Sequence, residues 1–216
     1  LRKAHPLESH ASMKHRPKGF SSILILEKSN EDRLAGLIPI RYGRMLASPF
    51  AFLRGSAALM ADDLSRTPNS GIYVQACGDC HLLNFGAFAT PERKLVFDIN
   101  DFDETLPAPW EWDVKRLAAS FVVSAQEYGI DNEIAKRVAK VCVRSYRENL
   151  RKYSKMSPLK LWYEQLDLST FAKNAPTKKT RLYREQLIKR AETRVAEYLF
   201  PKITTEVDGK KRLIDQ

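Results

Sequence analysis

The chain has 216 residues, enough to bury a core, and its composition is that of a globular protein, with 44% hydrophobic and 29% charged residues. It has no apolar run of the roughly 18 residues that a membrane helix needs, so we expect no membrane association. Three cysteines are too few for a disulfide scaffold and favour a reducing, cytoplasmic location. The net charge is +10, yet residues 71–115 hold eight acidic and only three basic residues.

Residues 1–20 combine five basic residues with three histidines and show no apolar period, so we predict a flexible basic arm before a single domain over residues 21–216. Ser48 and Pro49 predict the N-cap and first turn of a helix that runs to Leu64. The sequence begins without methionine and ends inside a predicted strand, so we expect a fragment of a longer chain.

The acidic segment, residues 71–115, contains the sequence pattern typical of β-strands. We predict a strand over 72–77, a hairpin of strands 85–88 and 94–99, and a loop over 106–109. The rest reads as helices over 114–128, 131–150, 157–166 and 178–199, then a terminal hairpin around Asp208 and Gly209. Trp110, Trp112, Trp162 and Tyr163 are predicted to be core residues, and the long basic helix should turn Leu187, Ala191, Val195 and Leu199 inward. The fold class is therefore α+β and mostly helical.

Three polar residues of the acidic segment have the spacing of a phosphoryl-transfer site. Asp79 and Asn84 lie five residues apart just after a predicted strand, and Asp101 follows the predicted hairpin. A kinase needs an aspartate that aligns the acceptor hydroxyl, with an asparagine and a second aspartate that hold the metal against the phosphates. Mg²⁺ prefers few carboxylates together with waters and phosphate oxygens, so an Asn–Asp pair is suitable. The hairpin would bring the two loops together.

These residues carry a resemblance to known families. The motif from Gly78 through Asp79 and His81 to Asn84 resembles the catalytic loop of aminoglycoside phosphotransferases and choline kinases. The segment 101–104, followed by Asp113, resembles their metal-binding segment and later structural aspartate. More closely, residues 20–216 resemble the bacterial family called domain of unknown function 2252. The matching stretches are 39–45, 48–55, 77–86 and 97–120.

The resemblance implies a partial protein-kinase-like catalytic lobe with a small β-hairpin active-site region. Its activity would be Mg²⁺-dependent phosphoryl transfer from ATP or another nucleotide to a small-molecule hydroxyl or amine. The implied residue roles are a catalytic base at Asp79, a loop-ordering His81, metal ligands at Asn84, Asp101 and Asp103 with Asp98 as an alternate, a buttress at Asp113, and phosphate contacts from Lys115, Arg116 and Arg54.

Several alternatives stay open. The sequence has no glycine-rich loop or lysine-bearing strand to clamp a nucleotide, so we expect the clamping lobe to lie outside it and the chain alone to be inactive. A pseudo-kinase without activity is one alternative. Cys77, Cys80 and His81 form a C-x-x-C-H pattern that would also suit haem attachment or zinc. The basic helix 178–194, with Tyr183 and Tyr198, would suit nucleic acid.

Overall fold

The computed structural model describes residues 6–11, 16–92, 94–192, 201, 204–207 and 209–213. These residues form helices and small antiparallel strand pairs, which confirms the α+β, mostly helical class. The helices are α1 (Ser22–Lys28), α2 (Ile38–Met45), α3 (Pro49–Gly55), α4 (Ala57–Ser65), α5 (Glu111–Glu127), α6 (Asn132–Tyr153), α7 (Pro158–Trp162), α8 (Leu168–Lys173) and α9 (Lys178–Glu192). The strands are β1 (Tyr73–Ala76), β2 (Phe85–Ala89), β3 (Leu95–Ile99), β4 (Leu106–Pro109), β5 (Thr204–Val207) and β6 (Lys210–Leu213). None of the described helices is both long and apolar enough to cross a membrane.

The chain divides into two compact units, and each is described by itself. The first comprises residues 1–84 and 101–156, and the second comprises residues 85–100 and 157–216. Part of the predicted arm lies outside the described residues. Within its described part, Leu7–Ala11 forms a short 3-10 helix, and Arg16 donates two hydrogen bonds to Asp63, at 2.9 and 2.7 Å. The Arg16 guanidinium holds the pKa of the Asp63 carboxyl below its usual value.

The helix predicted from Pro49 to Leu64 is wrong in one respect, because it is two helices. Ser48 caps α3 as predicted, accepting a hydrogen bond from the Ala51 amide at 3.1 Å. The chain then leaves helical geometry at Ser56 (φ −120°, ψ 38°) and resumes in α4. At the break Arg41 donates to the Gly55 carbonyl at 2.6 Å, which satisfies a group that would accept from the next turn in a continuous helix.

The predicted loop over 106–109 is also wrong, since this segment is strand β4. It pairs antiparallel with β1, from Tyr73 opposite Pro109 to Ala76 opposite Leu106. Its two prolines suggested a loop, but a two-stranded sheet has free edges where a missing amide donor costs nothing. Ala76 and Ala108 are each 1% exposed, whereas Tyr73 and Val74 are 63% and 40% exposed, so only part of the pair is covered.

The helices α5 and α6 form the main helical contact of the first unit. Gly129, in the left-handed region at φ +67°, ends α5 as predicted. Asp131 then caps α6 by accepting hydrogen bonds from two amides of its first turn. Trp110 stacks on Tyr146 at a ring-centroid distance of 5.5 Å, but Trp110 and Trp112 are half-buried rather than core residues as predicted.

The second unit is built on the predicted hairpin, because β2 pairs with β3 from Phe85 opposite Ile99 to Ala89 opposite Leu95. Phe97 stacks on Phe85 (6.4 Å) and on Phe171 of α8 (5.2 Å). The sequence predicts no helix at α8, although Asp167 caps it through the amides of Ser169 and Thr170. This short helix supplies the aromatic ring that covers the hairpin.

Some predictions about the second unit are wrong, one is confirmed, and others fall on residues that the structure does not describe. The helix predicted over 157–166 ends at Trp162, and Trp162 and Tyr163 are 84% and 73% exposed, so neither is a core residue. Leu187 of α9 is 41% exposed rather than inward. The terminal hairpin is confirmed by the pairing of β5 with β6. Predictions on Asp208, on Tyr198, and on the side chains of Ala191, Val195 and Leu199 lie outside the described residues.

Candidate active site

The candidate site begins at the loop that follows β1. Gly78 adopts a left-handed conformation, with φ +81°. A Cβ atom built on it would overlap the backbone carbonyl of Glu104, with the carbonyl carbon at 2.7 Å. Position 78 therefore requires glycine for two reasons. Its φ angle is positive, and the 101–104 segment approaches too closely to leave room for a Cβ atom.

One face of α5 supports this loop residue by residue. Asp113 accepts hydrogen bonds from the Cys77 amide at 2.8 Å and the Gly78 amide at 3.1 Å. One turn later Arg116 reaches Asp79, and after a further turn Ser120 accepts a hydrogen bond from the Leu82 amide at 3.0 Å. The spacing of three and then four residues places all three side chains on one helix face. The buttress predicted at Asp113 is thus present, whereas Ser120 was not anticipated.

Arg116 is an internal partner of Asp79 in this structure. Its Nε donates to Asp79 Oδ1 at 2.8 Å, and its Nη2 donates to the same oxygen. Nη2 also donates to the Leu53 carbonyl at 2.6 Å, and Nη1 lies 3.4 Å from Met60 Sδ. The residue is 2% exposed. The prediction that Arg116 contacts phosphates is therefore wrong for this conformation. Arg116 is enclosed, and it fixes the orientation of the Asp79 carboxylate.

His81 lies beneath the loop, where it is only 5% exposed. Its Nε2 is 3.4 Å from Asp79 Oδ2, and its ring meets Phe50 edge-on at 6.1 Å. Nδ1 is buried without a hydrogen-bond partner among the described residues. These contacts suit the loop-ordering role that the resemblance implies.

Asn84 joins the two loops of the predicted site. Its Nδ2 donates to the Asp79 carbonyl at 3.1 Å and to the Asp101 carbonyl at 3.1 Å, and the residue is 5% exposed. No described residue donates a hydrogen bond to its Oδ1, which is the atom that a cation would need. The structure thus brings Asn84 and Asp101 together.

The remaining carboxylates differ in their placement. Asp101 Oδ1 accepts a hydrogen bond from the Asp103 amide at 3.2 Å, so Asp101 and Asp103 belong to one turn. The exposed Asp103 side chain makes no hydrogen bond within the described residues. Asp98, the alternate ligand, lies on β3 in the second unit, where its Oδ1 accepts from the Ile99 amide at 2.8 Å.

Lys115 has a different neighbourhood from the one predicted. Its Nζ donates to Thr67 Oγ1 at 3.2 Å. Burial lowers the pKa of Lys115, an effect that the charge of Glu111 one turn earlier partly offsets. Arg54, the other residue predicted to face phosphates, is exposed on α3.

The C-x-x-C-H pattern has a structural use. Cys77 Sγ lies 3.6 Å from the Asp101 carbonyl, at hydrogen-bond distance for a thiol, and burial raises the pKa of both Cys77 and Cys80. Both thiols are at most 5% exposed. In the part of the chain that the structure describes, no three histidine, cysteine, aspartate or glutamate side chains are placed to hold a metal. This geometry gives the zinc alternative no support, and the two buried thiols pack within the loop.

Comparison with known proteins gives the family but no activity. Residues 33–216 match the family described as an uncharacterized protein conserved in bacteria, domain of unknown function 2252. The chain belongs to this bacterial family. Searches of the curated proteins and of the solved structures each found no match.

Proposed function

We propose that this chain carries the catalytic segment of a Mg²⁺-dependent phosphotransferase of the kinase type. It would transfer a phosphoryl group from ATP or another nucleotide to a hydroxyl or amine of a small molecule. The observation that supports this most directly is the Asn84 side chain, whose amide nitrogen binds the carbonyls of both Asp79 and Asp101. A cytoplasmic location is part of the proposal, since Cys77, Cys80 and Cys142 are free thiols.

The donor set fits a hard divalent cation. Asn84 Oδ1 and the Asp101 carboxylate would hold it, with Asp103 next in the same turn, and all three offer the oxygen ligands that Mg²⁺ takes. When bound, a magnesium nucleotide supplies the transferable group together with the positive charge that stabilises it. Two or three protein oxygens do not make a complete cage, so we expect the metal to bind tightly only together with nucleotide phosphates.

Asp79 would orient the acceptor. Arg116 occupies its Oδ1, and Oδ2, which lies 3.4 Å from His81 Nε2, is the oxygen that would accept a hydrogen bond from an incoming hydroxyl or amine. The Asp79 side chain is 20% exposed, so an acceptor has access to it. Asp113 and Ser120 hold the loop backbone on both sides of Asp79, which fixes the carboxylate in advance and lowers the entropy cost of alignment.

Calorimetric titration of the full-length protein with Mg²⁺ and ATP tests the proposal. We expect metal-dependent nucleotide binding that is lost in Asp101→Asn and retained in Asp32→Asn. Asp32 is a suitable control because it is an exposed carboxylate of the same unit outside the site. Absence of binding in the natural protein, or equal binding by Asp101→Asn, would contradict the proposed metal site.

A non-catalytic role is the second candidate, and the Arg116–Asp79 ion pair favours it. A guanidinium on the proposed base neutralises the charge that would draw a proton from the acceptor. A pseudo-kinase of this kind would bind magnesium nucleotide without consuming it. Measurement of ATP turnover alongside the titration separates the two candidates.

A further inference from the structure

We propose that the solvent face of α6 binds the phosphate backbone of duplex DNA, independently of base sequence and of the candidate active site. Five cations on this helix form what we call the basic stripe. Its members are Arg137, Lys140, Arg144, Arg147 and Arg151.

The stripe is straight and regular. Its residues are spaced alternately by three and four positions, so at about 100° per residue they fall within an arc of about 80°. Over the 14 residues from the first to the last, the stripe extends about 21 Å at 1.5 Å per residue. All five residues are exposed. The result is one line of positive charge along a rigid rod.

The stripe lies on the side of α6 that does not pack. The buried or half-buried residues of this helix are Ala135, Ala139, Cys142 and Tyr153, which share the opposite face, and Tyr146 on the same face stacks on Trp110. Packing against α5 therefore fixes α6 with its cations pointing outward.

The charge of the stripe is not neutralised within the described part of the chain. None of its five residues forms an ion pair or a side-chain hydrogen bond there. Two carboxylates of α6 lie near the stripe: Glu133, which binds Lys136 at 2.7 Å, and the exposed Glu148, one turn from Arg144 and Arg151, which forms no ion pair with a described residue. A line of uncompensated cations attracts a polyanion, because each phosphate contact releases condensed counterions.

Two observations favour duplex DNA over other polyanions. A membrane-bound amphipathic helix inserts a continuous apolar face, but the face of α6 opposite the stripe packs on α5 and Trp110, and the exposed apolar residues Ile134, Val141 and Leu150 lie apart on the two flanks of the stripe. Sites for single strands stack bases on aromatic side chains, and the stripe contains none. A rigid row of cations without either feature suits the regular phosphates of a duplex.

The other basic helix, α9, is a weaker candidate although the sequence points to it. Its Arg181 binds Glu185 at 2.8 Å. Its Arg184 donates to the Phe171 carbonyl at 2.6 Å and lies 4.0 Å from the centroid of the Phe171 ring. These two cations have structural partners, which lowers their availability to a ligand.

Fluorescence anisotropy of the full chain with a labelled duplex of about 20 base pairs, titrated over a range of salt concentrations, tests the proposal. The key variant is Lys140→Gln/Arg144→Gln/Arg147→Gln, which neutralises the centre of the stripe. Its matched control is Lys178→Gln/Lys179→Gln/Lys189→Gln on α9, with the same change in charge. Glutamine is a good helix former and all six positions are exposed, so both variants should fold, as circular dichroism will check.

We expect duplex binding by the natural chain, and binding at least about tenfold weaker in the stripe variant at 0.1 M salt. The slope of log K against log salt should fall in magnitude by about 2.7, or 0.9 per lost contact, while the α9 control keeps most of its slope. Equal loss in the two variants, loss in the control alone, or no duplex binding would overturn the proposal. Tighter binding to a single strand, or to vesicles containing phosphatidylserine, would overturn it in favour of those ligands.

Discussion

Arg116 donates from two nitrogens to a single carboxylate oxygen of Asp79, and its guanidinium is almost fully enclosed. The other contacts of the guanidinium reach α3 and α4, through the Leu53 carbonyl and the Met60 sulfur. One buried cation thus connects the candidate catalytic loop to three helices. The orientation of Asp79 and the packing of the first unit depend on the same residue.

Replacement of Arg116 by methionine should therefore be costly. The variant leaves the Asp79 carboxylate and the Leu53 carbonyl without their donors, and we expect a loss of about 3–5 kcal/mol in the free energy of unfolding, measured in urea. Arg54→Met, at an exposed arginine, should change it by less than about 0.5 kcal/mol. The double variant Asp79→Asn/Arg116→Met should lose less than the sum of its single variants. Strict additivity would show that the pair is not coupled.

Substitution of Gly78 by alanine should be far worse than the same change at Gly129. Both glycines have positive φ, but Gly129 has open space beside its Cα, whereas a Cβ on Gly78 meets the Glu104 backbone. We expect about 1–2 kcal/mol of destabilisation at Gly129 and more than about 4 kcal/mol, or failure to fold, at Gly78. Similar midpoints of urea unfolding for the two variants would refute the close approach of residues 78 and 104.

Asp113→Asn tests the support of the loop by α5. Asparagine keeps one acceptor but turns an N–H group toward a second amide, so one charged hydrogen bond is replaced by a repulsive contact. We expect a loss of about 2–3 kcal/mol in urea unfolding. Asp131→Asn is the matched control, because asparagine caps helices as well as aspartate does. If the two variants unfold alike, the Asp113 contacts do not stabilise the loop.

The buried thiols predict a stability that falls in alkali. Burial raises the pKa of Cys80 above its ordinary value of 9.0, with a smaller contribution from the negative charge of Asp113. Below the ordinary value the thiol is protonated in both states, and above it the unfolded chain loses a proton that the folded chain retains. Stability should therefore fall as pH rises through 9 toward the raised value, by up to about 1.4 kcal/mol per pH unit for each thiol. Unfolding in urea between pH 7 and 10 should show a shallower decline for Cys80→Ala, and an identical decline would contradict this origin.

Local sequence signals predicted much of the fold. Ser48 caps a helix as predicted, and the helices predicted to start at residues 131 and 157 begin at the caps Asp131 and Ser157, because capping depends on a few neighbouring backbone groups. The break at Ser56 could not be predicted in this way. It is accompanied by a hydrogen bond from Arg41, a residue of another helix, to the Gly55 carbonyl, and such a long-range contact leaves no signal in the local sequence. The strand β4 was missed for a similar reason: prolines favour an extended backbone by themselves, but its pairing with the distant β1 is what makes the segment a strand.

In the candidate site, too, some features could be predicted from local sequence and others depend on contacts between distant residues. The spacing of Asp79, Asn84 and Asp101 around a hairpin predicted their adjacency, and hydrogen bonds through Asn84 confirm it. The predicted role of Arg116 in phosphate binding is wrong for this structure. An arginine near acidic residues in the sequence can contact either a bound phosphate or a carboxylate of the protein itself. The spacing of Arg116 from Asp113 and Ser120 was the available signal, since three polar residues on one face of a buried helix indicate a shared internal partner.

Paramagnetic broadening of amide NMR signals by Mn²⁺ in the presence of ATP, measured on the full-length protein, would locate the metal. We predict selective broadening of residues 78–84 and 101–104, absent in Asp101→Asn. Broadening that leaves Asn84 and Asp101 unaffected, or that persists in Asp101→Asn, would contradict a metal-dependent phosphotransferase site at these residues.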